Sequence, residues 1–193
     1  RWNLVTGVQT CALPILKSER FYQDSVGVNI AEKNSSFCEL TGLYWAWQNG
    51  IFKNNQYVGL VHYRRYFAGK KLCLKKQHIA SERELLSLLE KYEAILPKKR
   101  NYFIESIYSH YQHAHHVKDL NCTREIISEL HPEYITSFDA IMQGRKIHIY
   151  NMFVMSSEKA SEYCKWLFPI LFELEKRIDI TQYDSYQKRV FGF

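Results

Sequence analysis

The chain has 193 residues, 46% hydrophobic and 24% charged, a composition that suits one globular domain with a sizeable core. No run of 18 consecutive apolar residues occurs, which excludes a spanning helix of ordinary length. Five cysteines without a C-x-x-C pair argue against a disulfide framework or structural zinc, and a formal net charge of +6 favours anionic partners.

Residues 5–15 (VTGVQTCALPI) resemble the conceptual translation of a sequencing adapter. Residues 1–15 are therefore set apart as non-native, and 16–193 are read as one incomplete domain, cut at both ends. Ser36 and Glu39 have the spacing of a capping box. The spacing predicts a helix through Phe37, Leu40, Tyr44 and Trp47, ended near Gly50. Residues 57–61 read as a buried strand that runs into His62, Tyr63, Arg64, Arg65 and Tyr66. A basic loop is expected over 70–78, then a second capping box at Ser81 and Glu84 opening a helix to about Tyr92.

Residues 94–96 read as a strand stopped by Pro97, with Lys98, Lys99 and Arg100 directly after it. Residues 101–120 are polar, aromatic and His-rich, and read as a long functional loop or short helices. Helices are predicted over 123–130 and 132–142, then a strand over 147–155. A long helix follows, capped by Ser156 or Ser157 and reaching Arg177, with a kink at Pro169. Strands alternating with helices predict an α/β fold with a mainly parallel sheet and flanking helices.

In such folds ligands bind beyond the carboxyl ends of strands. His62, Arg64 and Arg65 leave one strand, and Lys98, Lys99 and Arg100 leave the next, while His148 and Asn151 lie in the third. Cations converging there suit a diphosphate, because guanidinium offers a planar fork to phosphate oxygens; the competing reading is a solvated basic surface. His110, His113, His115 and His116, with Glu105 and Asp119, suggest either a metal site or a polar loop. Tyr63 to Phe67 interleave cations and rings as a nucleic-acid platform does. Phosphate-loop, dinucleotide and serine-hydrolase motifs are absent, and no Asp-x-Asp occurs.

Several segments in one order resemble a bacterial family, domain of unknown function 4422, of capsular and exopolysaccharide gene clusters. They include residues 29–34, 37–47, 57–67, 95–100, 108–115, 150–155, 172–177 and 186–193. The resemblance implies a GT-A-like, Rossmann-like glycosyltransferase in capsular, exopolysaccharide or O-antigen synthesis. It would take a nucleotide-sugar donor and a saccharide or lipid-linked saccharide acceptor, with no nucleic acid and no resident cofactor. The need for a divalent metal stays open without Asp-x-Asp. The expected location is cytoplasmic, with peripheral contact at the inner face of the plasma membrane.

Family members normally carry a strand upstream of Asn29 and a helix after Phe193, and Pro169 departs from their pattern. The resemblance further suggests Asn29, Glu32, Arg64, Arg65, Lys98 and Arg100 as donor and phosphate contacts, with Arg64 and Lys98 or Arg100 in place of a metal. Glu39 either lines that pocket or caps its helix. The candidate bases are His62, His110, His113 and Asp184, and the candidate acceptor contacts His115, His148 and Asn151. The alternative is a basic nucleic-acid-binding or metal-dependent phosphodiesterase module built on the His-rich segment.

Overall fold

The computed structural model describes residues 8–9, 22–62, 65–74 and 77–193, with side chains described over 22–62, 65–70 and 78–193. Its first strands, β1 (Val8–Gln9) and β2 (Tyr22–Gln23), pair in parallel. The segment set apart on sequence thus contributes β1.

The helix expected from Ser36 to Gly50 is two helices, α1 (Asn34–Phe37) and α2 (Leu40–Gln48). Cys38 breaks them, with φ of 53°, a conformation that costs a non-glycine residue energy. Ser36 is no cap; its hydroxyl donates back to the Lys33 carbonyl at 3.2 Å. Asn34 Nδ2 instead ties the break together through the Cys38 carbonyl (2.9 Å) and Thr41 Oγ1 (3.0 Å). Glu39 occupies the cap position of α2 without capping it, so its carboxylate is free for long-range partners.

After β3 (Tyr57–Leu60), the expected basic loop is a hairpin of β4 (Ala68–Leu74) and β5 (Gln77–Ile79). The predicted capping box at Ser81 and Glu84 is present in full and opens α3 (Glu82–Leu89). Next come β6 (Ala94–Ile95) and β7 (Arg100–Asn101). The His-rich segment is helical: α4 (Ile107–Ala114), capped by Ser106, and α5 (Val117–Leu130). Helix α6 (Ile135–Gln143) follows, then β8 (Lys146–Ile147) and β9 (Phe153–Ser156). The strand expected over 147–155 is broken at Tyr150, whose φ is 70°.

The fold is α/β, but the expected parallel sheet is corrected. The three-stranded sheet has the order β3-β9-β6, and both pairings are antiparallel. The physical reason lies in what separates the strands. Helix α3 returns the chain so that β3 and β6 run in the same direction, as alternation predicts. The three helices after β7 then bring β9 back from the other end, and it inserts between them. Local periodicity carries no signal for that insertion.

Helix α7 (Ser157–Arg177) anchors the core and runs through Pro169. Ser156 caps it, accepting from the Lys159 amide at 3.2 Å. Ala160, Cys164, Phe168, Leu171 and Leu174 recur at helical spacing on its buried stripe. Burial alone pushes the Cys164 thiol up to about 12. Trp47 stacks on Phe168 and its Nε1 donates to Ser161 Oγ at 3.0 Å, locking α2 to α7. The last residues fold back over α1, where Phe191 stacks on Phe37 at 4.7 Å.

Candidate active site at the sheet rim

The sheet register decides which loops meet. Leu60 pairs with Phe153 and Ile95 with Val154. The end of β3, the start of β9 and the end of β6 therefore share one rim, with β3 and β6 about 10 Å apart. His62 and Arg65 leave the first, His148, Tyr150 and Asn151 precede the second, and Lys98 and Arg100 follow the third. All of these except Tyr150 are groups that the sequence pattern places at strand ends. Arg64 and Tyr63 lie outside the described residues.

At the centre of the rim, Glu39 Oε1 accepts from Asn151 Nδ2 at 2.9 Å and lies 3.3 Å from His62 Nε2. That last contact is close enough for an ion pair but lacks hydrogen-bond geometry, and His62 Nε2 is buried without another partner among the described residues. Asn151 Nδ2 also donates to the Gly192 carbonyl at 3.0 Å. The amide thus braces the carboxylate against the C-terminal turn.

Two guanidinium groups flank this network. Arg65 stacks on Tyr150 with its guanidinium 4.2 Å from the ring centroid, and His62 meets the same ring edge-on at 5.9 Å. Arg189 Nε donates to Cys38 Sγ at 3.2 Å. Burial raises the Cys38 thiol, and Arg189 partly offsets it. Gly192 allows the turn to close here, since a Cβ there would lie 2.9 Å from Cys38 Sγ. No sequence signal pointed to Arg189 or Gly192, because their contacts with Cys38 and Asn151 span 151 and 41 residues of chain.

Other candidates stand elsewhere or are engaged locally. Asn29 makes an Asx turn, donating to the Gly27 carbonyl and accepting from the Ala31 amide, and Glu32 lies exposed beside it. Lys98 and Arg100 are exposed, with Arg100 over the Tyr102 ring. His148 Nδ1 donates to the Pro97 carbonyl, which joins β6 to the loop before β9. His110 and His113 both turn Nδ1 to Glu105, at 3.0 and 3.3 Å, and hold that carboxyl below its usual range. Asp184 Oδ1 accepts from the Tyr186 and Gln187 amides, capping the C-terminal turn.

His115 is tied to the rim indirectly. It meets Gln187 Oε1 at 3.1 Å and packs at 4.2 Å on Phe193, the residue after Gly192, whose carbonyl holds Asn151. Asp119 is buried and accepts from Tyr183 Oη at 2.9 and 3.1 Å, anchoring the same C-terminal segment. Among the described residues, no three His, Cys, Asp or Glu side chains stand together as a metal-holding group. A cavity of about 410 Å³ lies apart from the rim, between α4, α5 and α6, lined by Tyr108, Asn121, Arg124 and Phe138 among others.

The chain matches the profile of the family described as a domain of unknown function, DUF4422, over residues 8–193. The chain belongs to this family. The match reaches back into the adapter-like stretch, as β1 does. This DUF4422 domain also resembles a solved structure described as the WbbM bifunctional glycosyltransferase in its apo form. The identity is 30% and the TM-score 0.78 over 89% of this chain. The chain spans about a third of that protein, 34% of its length. No curated protein sequence matches. Among the described residues, no helix of this domain is long and apolar enough to cross a membrane.

Proposed function

We propose that this DUF4422 domain is a glycosyltransferase of GT-A type, moving a sugar from a nucleoside diphosphate to a saccharide hydroxyl. The reading continues to a role in capsular, exopolysaccharide or O-antigen assembly, with a lipid-linked acceptor met at the cytoplasmic face of the membrane. The likeness to a glycosyltransferase supports the reaction class. The observation that supports the mechanism is the network in which Glu39 meets both Asn151 and His62, and Tyr150 meets both His62 and Arg65.

In this mechanism the Glu39 carboxylate, fixed by Asn151 and 3.3 Å from His62 Nε2, would orient the ring so that Nδ1 takes the acceptor's proton. The acceptor oxygen bonds to the anomeric carbon while the bond from that carbon to the donor phosphate breaks. The departing diphosphate gains negative charge, which preorganised cations stabilise. Arg65 would meet it from the β3 side and Lys98 or Arg100 from the β6 side. Guanidinium groups would do here what Asp-x-Asp and a metal do in other transferases. His115 and His148 flank the acceptor side in this scheme.

Thermal unfolding against a panel of nucleoside diphosphates and oligonucleotides, each with and without divalent metal, tests the reading. Stabilisation by a nucleoside diphosphate that survives a chelator is expected. Selective stabilisation by an oligonucleotide would favour a nucleic-acid module instead. A metal requirement confined to the His-rich segment would favour a phosphodiesterase.

A further inference from the structure

The loop from β7 to α4 carries the two most exposed large apolar side chains in the described residues. Phe103 is 72% exposed and Ile104 is 88% exposed. Hydrophobic residues scattered singly on a surface need no explanation, but an adjacent aromatic and aliphatic pair at a loop tip does.

This tip is held in place rather than left loose. Phe103 has φ of 56°, a conformation that disfavours a bulky side chain. Three contacts hold it there. Asn101 Oδ1 accepts from the Phe103 amide at 3.0 Å, Arg145 Nη1 donates to the Phe103 carbonyl at 3.0 Å, and the Tyr102 amide donates to the Arg145 carbonyl at 2.9 Å. The backbone is thus spent on pointing an apolar pair at solvent.

Around the tip stand four exposed cations. Lys99, Arg100, Arg145 and Lys146 are all exposed on β7, β8 and the segments joining them. The nearest acidic side chain in sequence, Glu105, is engaged by His110 and His113. An apolar wedge inside a cationic collar matches an anionic phospholipid surface. Its rings enter the headgroup boundary while the collar meets the phosphates. An apolar protein patch would not call for the collar.

We infer that the Phe103–Ile104 tip and its Lys99, Arg145 and Lys146 collar dock this domain on an anionic bilayer. The inference deepens the membrane placement proposed above. It also sets the geometry, because β7 follows the Lys98–Arg100 edge of the rim. Docking there brings the rim toward the headgroup layer, where a lipid-linked diphosphate would stand.

Flotation of the full chain with phosphatidylcholine vesicles, alone and mixed with phosphatidylglycerol, tests this without measuring transfer. The chain is expected to float with the mixed vesicles and not with phosphatidylcholine alone. A double variant, Phe103→Ser with Ile104→Ser, should cut the bound fraction at least tenfold with unchanged thermal unfolding, since neither side chain is packed. Lys99→Gln and Lys146→Gln should each weaken binding about fivefold at low salt and flatten its salt dependence.

Absence of flotation with anionic vesicles would overturn the inference, as would binding that survives the double variant. Sedimentation showing self-association abolished by the same double variant, with no vesicle binding, would assign the tip to a second copy instead. A transfer assay with a water-soluble acceptor reads the proposed reaction separately, so failure of one does not imply failure of the other.

Discussion

The two imidazole-bearing regions of this domain use the same side chain for different ends. On α4, His110 and His113 share one exposed carboxylate, Glu105, and brace the turn that opens the helix. At the sheet rim, His62 is largely buried against Glu39, which is itself fixed by Asn151 and, through it, by Gly192. The first cluster is dense in sequence and shallow in space. The second draws on residues 39, 62, 151 and 192, far apart in sequence and built into one network. Density of titratable residues along a chain marks a polar surface; convergence across the fold marks a candidate site.

The comparison breaks most visibly in turnover. Exchanging His62 for Ala should lower kcat by about 10²–10⁴, the usual worth of a positioned base. Ala at both His110 and His113 should leave kcat within a few fold. Steady-state transfer rates from a nucleotide-sugar check this, and the reverse ranking would move the site to α4.

The second effect concerns the turn that closes the rim. Gly192→Ala puts a methyl against Cys38 and should cost about 1–3 kcal/mol, the usual range for overpacking a tight contact. It should also loosen Asn151, so KM for the donor rises along with the loss of stability. Urea unfolding and donor titration together separate that outcome from a merely tolerated methyl.

Next comes the anchor between the two regions. Tyr183→Phe removes the hydroxyl that both oxygens of buried Asp119 accept from, and should destabilise by about 1–3 kcal/mol. Chemical denaturation reads it directly. An unchanged midpoint would mean that Asp119 finds another donor.

The smallest effect is on pH dependence. Hydrogen bonding to His110, then to His113, holds the Glu105 carboxyl below its ordinary 4.5. A carboxyl whose folded pKa is depressed adds stability above its unfolded pKa and loses it as pH falls through the folded one. Glu105→Gln should therefore flatten the acid limb of a melting-temperature profile below about pH 4.5 and leave neutral pH nearly unchanged.

Much of the local structure is legible in the sequence for identifiable reasons. The Ser81–Glu84 box and the serine cap of α7 depend on three-residue spacing, and both form where that spacing predicts. Elements without a local signature were not legible. The left-handed Cys38 has no glycine or asparagine to announce it, so one helix was expected where two form. Glu39 looked like a cap because its spacing from Ser36 fits one; only the tertiary approach of Asn151 and His62 shows its other use. The antiparallel insertion of β9 and the hairpin over 68–79 likewise follow from long-range pairing.

Within the candidate site, the sequence pointed to His62, Arg65 and Asn151, which are linked through Glu39 and Tyr150. It missed Arg189 and Gly192, whose contacts need the chain to fold back on α1. It also gave equal weight to Asp184 and Asn29, whose side chains satisfy nearby backbone amides and carbonyls.

Hydrogen–deuterium exchange with and without a nucleoside diphosphate tests the central claim most directly. The account predicts new protection over residues 60–65, 96–100 and 148–152 and in the 187–193 turn, with little change over 105–116. Protection confined to α4, or to the helices around the α4–α5–α6 cavity, would contradict it.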